Sequence, residues 1–247
     1  MAAPGCHGVL LTSQGGVASS AFMAAVDRVQ ARGSSSFYTN DRKDRDGFKH
    51  LPASRWTGHD AGALRGRANH ALRGKSGGDE HCFGKAIVVV GDPVHTIEST
   101  HRRYGMTHIN KLRRGSGRMK RYPRRMPVKR LYESMAAAGE DATGLVRFVT
   151  EWYEASRDQD HWPDIRVVTA RILMDCAADH ARRIGVVEEG DMQEFRSMAF
   201  DASKQHKAAP TVSSAGTAEK VTEVLAEVTD IVNAIDKLPC DERGAAL

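Results

Sequence analysis

Long apolar runs are missing from this sequence, and so are closely spaced cysteines. No run is long enough to cross a bilayer, and the first residues have neither a charged start nor a long apolar stretch. These absences argue against a membrane anchor and a signal peptide. We therefore expect a cytoplasmic protein that does not enter a membrane.

The four cysteines lie far apart in the chain and form no C-x-x-C pair; they are Cys6, Cys82, Cys176 and Cys240. His81 precedes Cys82, but no second pair of ligands lies nearby at the spacing that zinc sites use. Such spacing is not typical of a disulfide framework either. We therefore expect reduced thiols and no metal site.

Lysine is missing from the first glycine-rich turn, at residues 13–20. The chain here reads as a buried strand (residues 9–11), a turn of small residues, and a helix entered through Ser19 and Ser20. Glycines let the backbone approach a ligand, and a helix N-terminus attracts an anion. Because no Lys precedes the two serines, this is not a Walker A loop, which argues against ordinary nucleotide hydrolysis. The turn is either an anion-binding cradle or an ordinary strand-to-helix connection.

A second strand–turn–helix unit follows at residues 84–90, whose last five residues are all apolar as in a central parallel strand. The strand leads into Gly91, Asp92 and Pro93. Asp at the cap and Pro at the first helical position predict a sharp helix start. With a third strand at residues 165–170, we predict an α/β fold with a parallel sheet flanked by helices. The first two units should be adjacent, with a ligand at the carboxyl edge.

Acidic residues are missing from residues 102–130, which contain twelve Lys or Arg. The run is interpreted as a solvated, poorly ordered loop, as an anion-binding lid, or as a nucleic-acid patch. Aromatic residues are few (Tyr104 and Tyr122), which argues against a platform for stacking single-stranded bases. The net charge of +5 also favours an anionic ligand without identifying it.

Further helices are predicted between and after the strands. Residues 61–72 are predicted to form a helix with Asp60 as its cap. Residues 141–157 are predicted to form an amphipathic helix whose apolar face lies in the core. Another helix is predicted at residues 172–184.

The C-terminal part is predicted to follow a single main domain. Residues 201–216 are small and polar, as in a linker or a lid, and residues 217–238 have the pattern of a helix with one apolar side. That side should dock on the domain or on a partner. We therefore predict an α/β domain at residues 1–206, with a linker and a helix at residues 207–247.

Three segments in chain order resemble the motifs of the sulfotransferase family. The first family loop has the form Pro-Lys-Ser/Arg-Gly-Thr-Thr, and residues 13–20 are similar to it. A family motif Lys-Thr-His-Leu-Pro is similar to residues 49–52, with one residue fewer. A family motif Arg-Asn/Asp-Pro with a later Ser is similar to Asp92, Pro93 and Ser99. Together with a looser likeness farther on, the resemblance covers most of the chain.

The resemblance implies a P-loop-like α/β domain that binds 3′-phosphoadenosine-5′-phosphosulfate (PAPS) as the sulfuryl donor. The acceptor would be a hydroxyl or an amine. His50 would be the catalytic base, a role that suits an imidazole pKa of about 6.5. Lys49 beside it would supply charge. The donor-binding residues that the resemblance implies are Gln14, Gly15, Gly16, Val17, Ala18, Ser19, Ser20, Asp92 and Ser99.

Two cations of the family motifs are missing here. The basic residue of the first loop falls at or beside Gly16, and the Arg of the second motif falls at Gly91. Because sulfuryl transfer leaves negative charge on the donor phosphate, a cation there is worth roughly 3 kcal/mol of catalysis. The available replacements are Lys49, Arg42, Lys43 and the basic residues at 102–130.

Three functions follow from these patterns. The preferred one is a PAPS-dependent sulfotransferase. The second is an inactive member of the same fold that binds a nucleotide or another anion. The third is a nucleic-acid-binding protein that uses residues 102–130. The sequence does not identify the acceptor, whether small molecule or carbohydrate, or the oligomeric state.

Overall fold

The computed structural model describes residues 8–15, 50–56, 64–67, 80–118, 120–158, 162, 164–169, 172, 176, 193–194, 197 and 215–238. Several predictions lie outside these residues: those for Gly16, Val17, Ala18, Ser19, Ser20, Lys49, Arg42 and Lys43, and most of the helix at residues 172–184.

Four strands form one sheet, and β3 is its centre. The strands are β1 (Gly8–Ser13), β2 (Leu64–Arg67), β3 (Glu80–Val90) and β4 (Asp164–Thr169). Both β1 and β4 run parallel to β3 and pair with the same stretch of it, so they occupy its two edges. β2 pairs antiparallel with the beginning of β3. The predictions of a parallel α/β sheet and of adjacent first and second units are confirmed.

The helix predicted at residues 61–72 is wrong, because Leu64–Arg67 is the strand β2. Gly62 and Gly66 weaken a helix, since glycine costs about 1 kcal/mol relative to alanine inside one. The first residues of β3 extend beyond β1 and β4, and their backbone groups need partners. Pairing β2 with them, as at Gly66 opposite His81, satisfies those groups.

The described part of the chain contains six α-helices and one short 3-10 helix at Ala53–Arg55. The α-helices are α1 (Pro93–Tyr104), α2 (Met106–Gly115), α3 (Val128–Ala138), α4 (Leu145–Arg157), α5 (Ala215–Val224) and α6 (Ala226–Asp236). The sharp start predicted for α1 is confirmed: Pro93 is its first residue, and Asp92 Oδ1 accepts the His95 N–H at 2.6 Å. None of the described helices is long and apolar enough to span a membrane.

The amphipathic helix predicted at residues 141–157 begins four residues later, as α4. Asp141 and Thr143 form a capping turn ahead of it, in which Asp141 Oδ2 accepts the Val146 N–H at 2.8 Å. The predicted core face is confirmed, since Phe148 and Trp152 are fully buried.

The basic run is largely helical, so the predictions of a poorly ordered loop or a lid are wrong for residues 106–115. Met106, Ile109 and Leu112 fix α2 in the core, because their spacing places them on one buried face. The buried guanidinium of Arg113 donates to the carbonyls of Lys120 and Ala142. Burial lowers the pKa of this guanidinium. Arg113 therefore stabilises the fold, although the sequence suggested only ligand binding or solvent for it.

The C-terminal helix docks on the domain, the first of the two predicted alternatives. It is divided into α5 and α6 at Leu225, whose φ of −103° departs from helical geometry. α6 packs against α4 and β4. Asp236 accepts a hydrogen bond from Thr169 Oγ1 at 2.5 Å, which ties the last turn of α6 to the end of β4.

The prediction of reduced thiols is wrong for Cys176, which is disulfide-bonded. Its partner lies outside the side chains that the structure describes. Distance along a sequence does not exclude a disulfide, because the fold decides which Cα atoms come within bonding range. Disulfides persist mainly in oxidising compartments. The expectation of a cytoplasmic location therefore loses the support that the cysteine spacing gave it.

Candidate functional site

Gly15 is the centre of the site, at the carboxyl end of β1. Its φ of +89° lies in the left-handed region that favours glycine. A Cβ at this position would lie 3.3 Å from His50 Cε1 and 3.3 Å from Thr100 Oγ1. Both the backbone conformation and the close neighbours therefore require glycine here. Three segments that are distant in sequence meet at this point.

Gln14 joins the first turn to the second. Its backbone N–H donates to Val89 O at 3.4 Å, which continues the pairing of β1 with β3. Its side-chain Nε2 donates to Gly91 O at 2.8 Å and to Thr96 Oγ1 at 2.7 Å. Gln14 Oε1 has no partner among the described residues. Because the backbone N–H and the side-chain amide N–H of Gln14 are both hydrogen-bonded within the protein, this residue positions the turn.

Helix α1 contributes buried hydroxyl side chains, of which Thr100 lies beside Gly15. Thr96, Ser99 and Thr100 are all buried. Thr96 accepts from Gln14, whereas Thr100 Oγ1 has no hydrogen-bond partner in the part of the chain that the structure describes. A buried hydroxyl without a partner costs about 1–3 kcal/mol, so such a group calls for an explanation.

The two residues predicted for the 3′-phosphate differ in their surroundings. Asp92 is exposed and its carboxylate caps α1, so it has a structural role at the helix start. Ser99 precedes Thr100 in α1 and is buried. Its predicted contact with the donor stays a prediction.

The segment that carries His50 is clamped by two helices. Trp152 Nε1 of α4 donates to Leu51 O at 2.9 Å. At the end of α2, a Cβ on Gly115 would lie only 2.7 Å from His50 O, so glycine permits the close approach of the two backbones. These contacts fix the position of the His50 side chain beside β1.

The His50 ring lies between β1 and α2. Its Nδ1 is 2.8 Å from Ser13 O, and its Nε2 is 3.2 Å from His108 Nδ1. The two imidazole rings meet edge to face, with centroids 5.2 Å apart, and Tyr104 stacks on His108 at 4.0 Å. His50 is only 3% exposed, while His108 is half-buried.

Sequence reasoning missed His108 and Thr100. His108 lies inside the basic run and 58 residues from His50, and no local pattern could pair them. Thr100 follows Ser99 directly, so the predicted helix already contained it. Helical periodicity would have placed Thr96 and Thr100 on one face, since residues four apart are neighbours.

Of the candidates for the missing cations, Arg113 has a structural role, and two arginines outside the basic run, Arg55 and Arg147, have structural partners as well. Arg55 Nε donates to Gly115 O at 3.0 Å, and Arg147 Nη1 donates to Ser116 O at 2.9 Å. These carbonyls end α2, where unpaired C=O groups and the helix dipole attract positive charge. Arg55, Arg113 and Arg147 therefore stabilise the ends of helices and turns.

Acidic, histidine and cysteine side chains do not cluster in threes as metal ligands within the described ranges. Comparison with models of protein families, with curated proteins and with solved structures finds no match to this chain. The candidate site is therefore defined by its own geometry: Gly15 at the end of β1, with Thr100 and the His50–His108 pair beside it.

Proposed function

We propose that this protein transfers a sulfuryl group from PAPS to a hydroxyl or an amine of an acceptor. One observation carries the proposal: a buried imidazole, His50, contacts the glycine turn at the carboxyl end of a parallel strand. That edge is where α/β sheets bind phosphorylated ligands. The resemblance of three segments to sulfotransferase motifs supplies the chemical identity of the donor.

The roles follow from the positions of the side chains. Gly15 permits the close approach of His50 and Thr100 to the turn, which is where the phosphosulfate would bind. The Thr100 hydroxyl is a buried donor for an anionic oxygen, and Ser99 beside it would take the 3′-phosphate. His50 lies near enough to Gly15 to hold positive charge beside the donor. The described residues thus fit an anionic ligand at this turn.

The reaction is an in-line displacement at sulfur. A lone pair of the acceptor forms the new bond to sulfur, and the bond from sulfur to the bridging phosphate oxygen breaks. The electron pair of that bond leaves with 3′-phosphoadenosine-5′-phosphate (PAP). The acceptor proton passes to the imidazole pair, and His50 carries the resulting charge. General base catalysis of this kind contributes roughly 10²–10⁴-fold in rate.

A second candidate function, nucleic-acid binding, is favoured by one surface. The segment that follows α2, with the first turn of α3, carries a row of exposed cations: Arg118, Lys120, Arg121, Arg124, Arg125, Lys129 and Arg130. Two of them have acidic neighbours, since Arg118 pairs with Glu140 and Lys129 with Glu133. A nucleic-acid-binding protein would lose affinity steeply as salt rises, because it releases counterions.

The test is conversion of radiolabelled PAPS to PAP by the full-length protein. Phenol, aliphatic alcohol and primary amine probes serve as acceptors, and water is the background acceptor. We expect conversion by the wild type, a loss of about 100-fold in His50→Asn, and little change in His95→Asn. His95 is the matched control, because it lies on α1 and its hydrogen bond to Asp92 comes from the backbone N–H, which the substitution keeps.

Failure of the wild type to convert PAPS with any probe or with water would overturn the proposed transfer. Equal activities of His50→Asn and the wild type would remove His50 from the mechanism. If the protein instead retains single-stranded DNA with a steep salt dependence and ignores PAPS, the second function replaces the first.

A further inference from the structure

The segment that leads from α2 to α3 is hydrogen-bonded along its length to α1 and α2. We call residues 120–127 the basic strap. Its carbonyls accept hydrogen bonds from the two helices; the acceptors are Lys120 O (2.9 Å from Arg113 Nη2), Tyr122 O (2.9 Å from Asn110 Nδ2), Arg124 O (3.1 Å from Met106 N) and Met126 O (2.8 Å from His101 Nε2). Because these hydrogen bonds fix the backbone, the strap presents its side chains in a defined arrangement.

The cations of the basic strap have no acidic partners among the described residues. Lys120, Arg121, Arg124 and Arg125 are exposed, and no described carboxylate forms an ion pair with them. Their charge acts on a neighbour: after burial, the positive charge of Arg121 is the second cause that lowers the pKa of Arg114. Since like charges held close together repel one another, an anionic ligand would stabilise this surface.

Tyr104 connects the basic strap to the candidate site. Gly105, the next residue, lies so close to the strap that a Cβ there would be 2.5 Å from Arg124 O. The Tyr104 ring stacks on His108 with centroids 4.0 Å apart, and His108 contacts His50. Tyr104 is 45% exposed, and no other large hydrophobic side chain is exposed in the described ranges. A ligand that spans the strap and the site therefore passes this ring.

The chemistry of this surface distinguishes among polyanions. Arginine forms paired hydrogen bonds with carboxylates and with phosphate-like oxyanions. A single-stranded nucleic acid stacks successive bases on several aromatic rings, but Arg113 covers the ring of Tyr122 at 4.1 Å, which leaves Tyr104. One exposed ring suits a sugar, because the negative face of an aromatic ring attracts the C–H groups of a sugar ring. A polysaccharide also offers hydroxyl groups in every repeat, as a sulfuryl acceptor must.

We propose that the acceptor is a polysaccharide that already carries carboxylate or sulfate groups. The basic strap binds the anionic groups, Tyr104 stacks on one sugar ring, and a hydroxyl of a nearby ring reaches the Gly15 turn. This inference rests on the proposed function, whose acceptor it identifies. The hydroxyl oxygen forms the new bond to sulfur, and the bond from sulfur to the bridging phosphate oxygen breaks. PAP leaves with the electron pair of that bond, and the hydroxyl proton passes to the base.

Carboxymethyl dextran and unmodified dextran separate charge from sugar structure, because the two polymers share one backbone. The full-length protein receives radiolabelled PAPS with each polymer, and the label on the polymer is measured. At low salt we expect kcat/KM to be about tenfold or more higher for carboxymethyl dextran, because a cationic surface raises the local concentration of an anionic substrate. The difference should disappear in about 1 M salt, since salt screens exposed charges.

Removal of two cations locates the effect on the strap. Arg121→Gln/Arg125→Gln should raise KM for carboxymethyl dextran about fivefold with little change in kcat, because these exposed ion pairs lie away from the reacting atoms. Lys220→Gln/Lys237→Gln is the matched control, since it removes equal charge from exposed residues in α5 and directly after α6. Tyr104→Ser should also raise KM, whereas Tyr104→Phe, which keeps the ring, should behave like the wild type.

Equal kcat/KM for the two polymers, or equal losses in the strap and control variants, would overturn the inference. The proposed function would then still stand on conversion of PAPS with the phenol, alcohol or amine probe. If PAPS is converted with no acceptor and not with water, the proposed function fails and the acceptor role fails with it.

Calorimetry without PAPS tests the class of ligand independently of catalysis. The titrants are carboxymethyl dextran, dextran, polyglutamate and single-stranded DNA at equal concentrations of charge. We expect the tightest binding for carboxymethyl dextran, and a weaker affinity in Arg121→Gln/Arg125→Gln. Tighter binding of DNA or of polyglutamate, lost in the same variant, would overturn the polysaccharide as the ligand of the strap.

Discussion

The turns after β1 and β3 are similar in sequence, since each follows a buried parallel strand and contains glycine. In the structure they have different surroundings. In the turn after β3, polar groups are hydrogen-bonded within the fold: the Asp92 carboxylate caps α1, and Gly91 O accepts a hydrogen bond from Gln14. The turn after β1 places Gly15 beside His50 and the Thr100 hydroxyl, for which the described residues offer no hydrogen-bond partner. A glycine turn therefore indicates a site when side chains from other segments converge on it.

Substitution of Gly15 by alanine should produce the largest effect. The left-handed φ costs about 1–2 kcal/mol for a residue with a Cβ, and contacts of 3.3 Å on two sides add to this. Gly139→Ala is the matched control, because its φ is also positive and a Cβ there would meet nothing within 4 Å. Urea unfolding should show a loss of about 1 kcal/mol more for Gly15→Ala than for Gly139→Ala. Equal losses would mean that the turn after β1 is not closely surrounded.

Thr96 and Thr100, replaced one at a time by valine, compare a hydroxyl that has a hydrogen-bond partner with one that has none among the described residues. Thr96→Val should destabilise by about 1 kcal/mol, because it removes the acceptor of Gln14 Nε2. Thr100→Val should leave the free protein as stable or slightly more stable, since its hydroxyl has no described partner. The same variant should weaken PAP binding, measured by calorimetry, about tenfold or more. Unchanged PAP affinity would remove Thr100 from the site.

Asp92→Ala tests whether the turn after β3 is only a helix start. Loss of the N-cap should cost about 1 kcal/mol of unfolding free energy. PAP affinity should change little, because the carboxylate serves the His95 N–H. Asp92→Asn is the control, since asparagine also caps helices well. A large loss of PAP affinity in both variants would show that the second turn contacts the ligand directly.

Substitution of Glu151 should have the smallest effect on stability. Its carboxylate contacts the segment that carries His50 at Ser54, and not at His50 itself. Its carboxylate accepts from the Ser54 N–H at 2.9 Å and from Arg147 Nε at 2.5 Å. Burial by itself raises the pKa of Glu151, but the hydrogen bonds from Arg147 and Ser54 outweigh it and lower the pKa below 4.5. A lowered pKa means that the carboxylate stabilises the fold above the unfolded pKa, and that this is lost as pH falls through the folded value.

Glu151→Gln should therefore cost about 0.5 kcal/mol at pH 7, as for a partly exposed ion pair. Its stability should fall less than that of the wild type below pH 4.5. Urea unfolding of both proteins at neutral and acid pH measures the difference. If the free energies of unfolding of the two proteins changed equally with pH, Glu151 would not anchor residues 50–56.

The sequence predicted those parts of the fold that depend on neighbouring residues. The apolar run of β3 and the Asp92–Pro93 pair predicted a strand and a helix start because both signals are local. The strand β2 was missed because its backbone partners lie in β3, and pairing across the sheet overrode local propensity.

The candidate site was predicted only in part, for the same reason. Gly15 and His50 were named from motifs, and the structure brings them into contact. His108 and the disulfide of Cys176 depend on contacts between distant segments, which one sequence does not reveal. The basic run was misinterpreted because charge is visible in a sequence, whereas the burial of Met106, Ile109 and Leu112 against the core is a property of the fold.

Thermal unfolding in the presence of PAP tests directly whether the turn after β1 binds the nucleotide of a sulfuryl donor. A ligand at 100 times its Kd stabilises the native state by about 2.7 kcal/mol, which raises the Tm of a chain of this size by roughly 5–10 °C. We expect that rise with PAP, a much smaller one with ATP, and none with PAP in Gly15→Ala. An equal rise with ATP, or no rise with PAP in the wild type, would mean that this turn is not a specific site for the donor nucleotide.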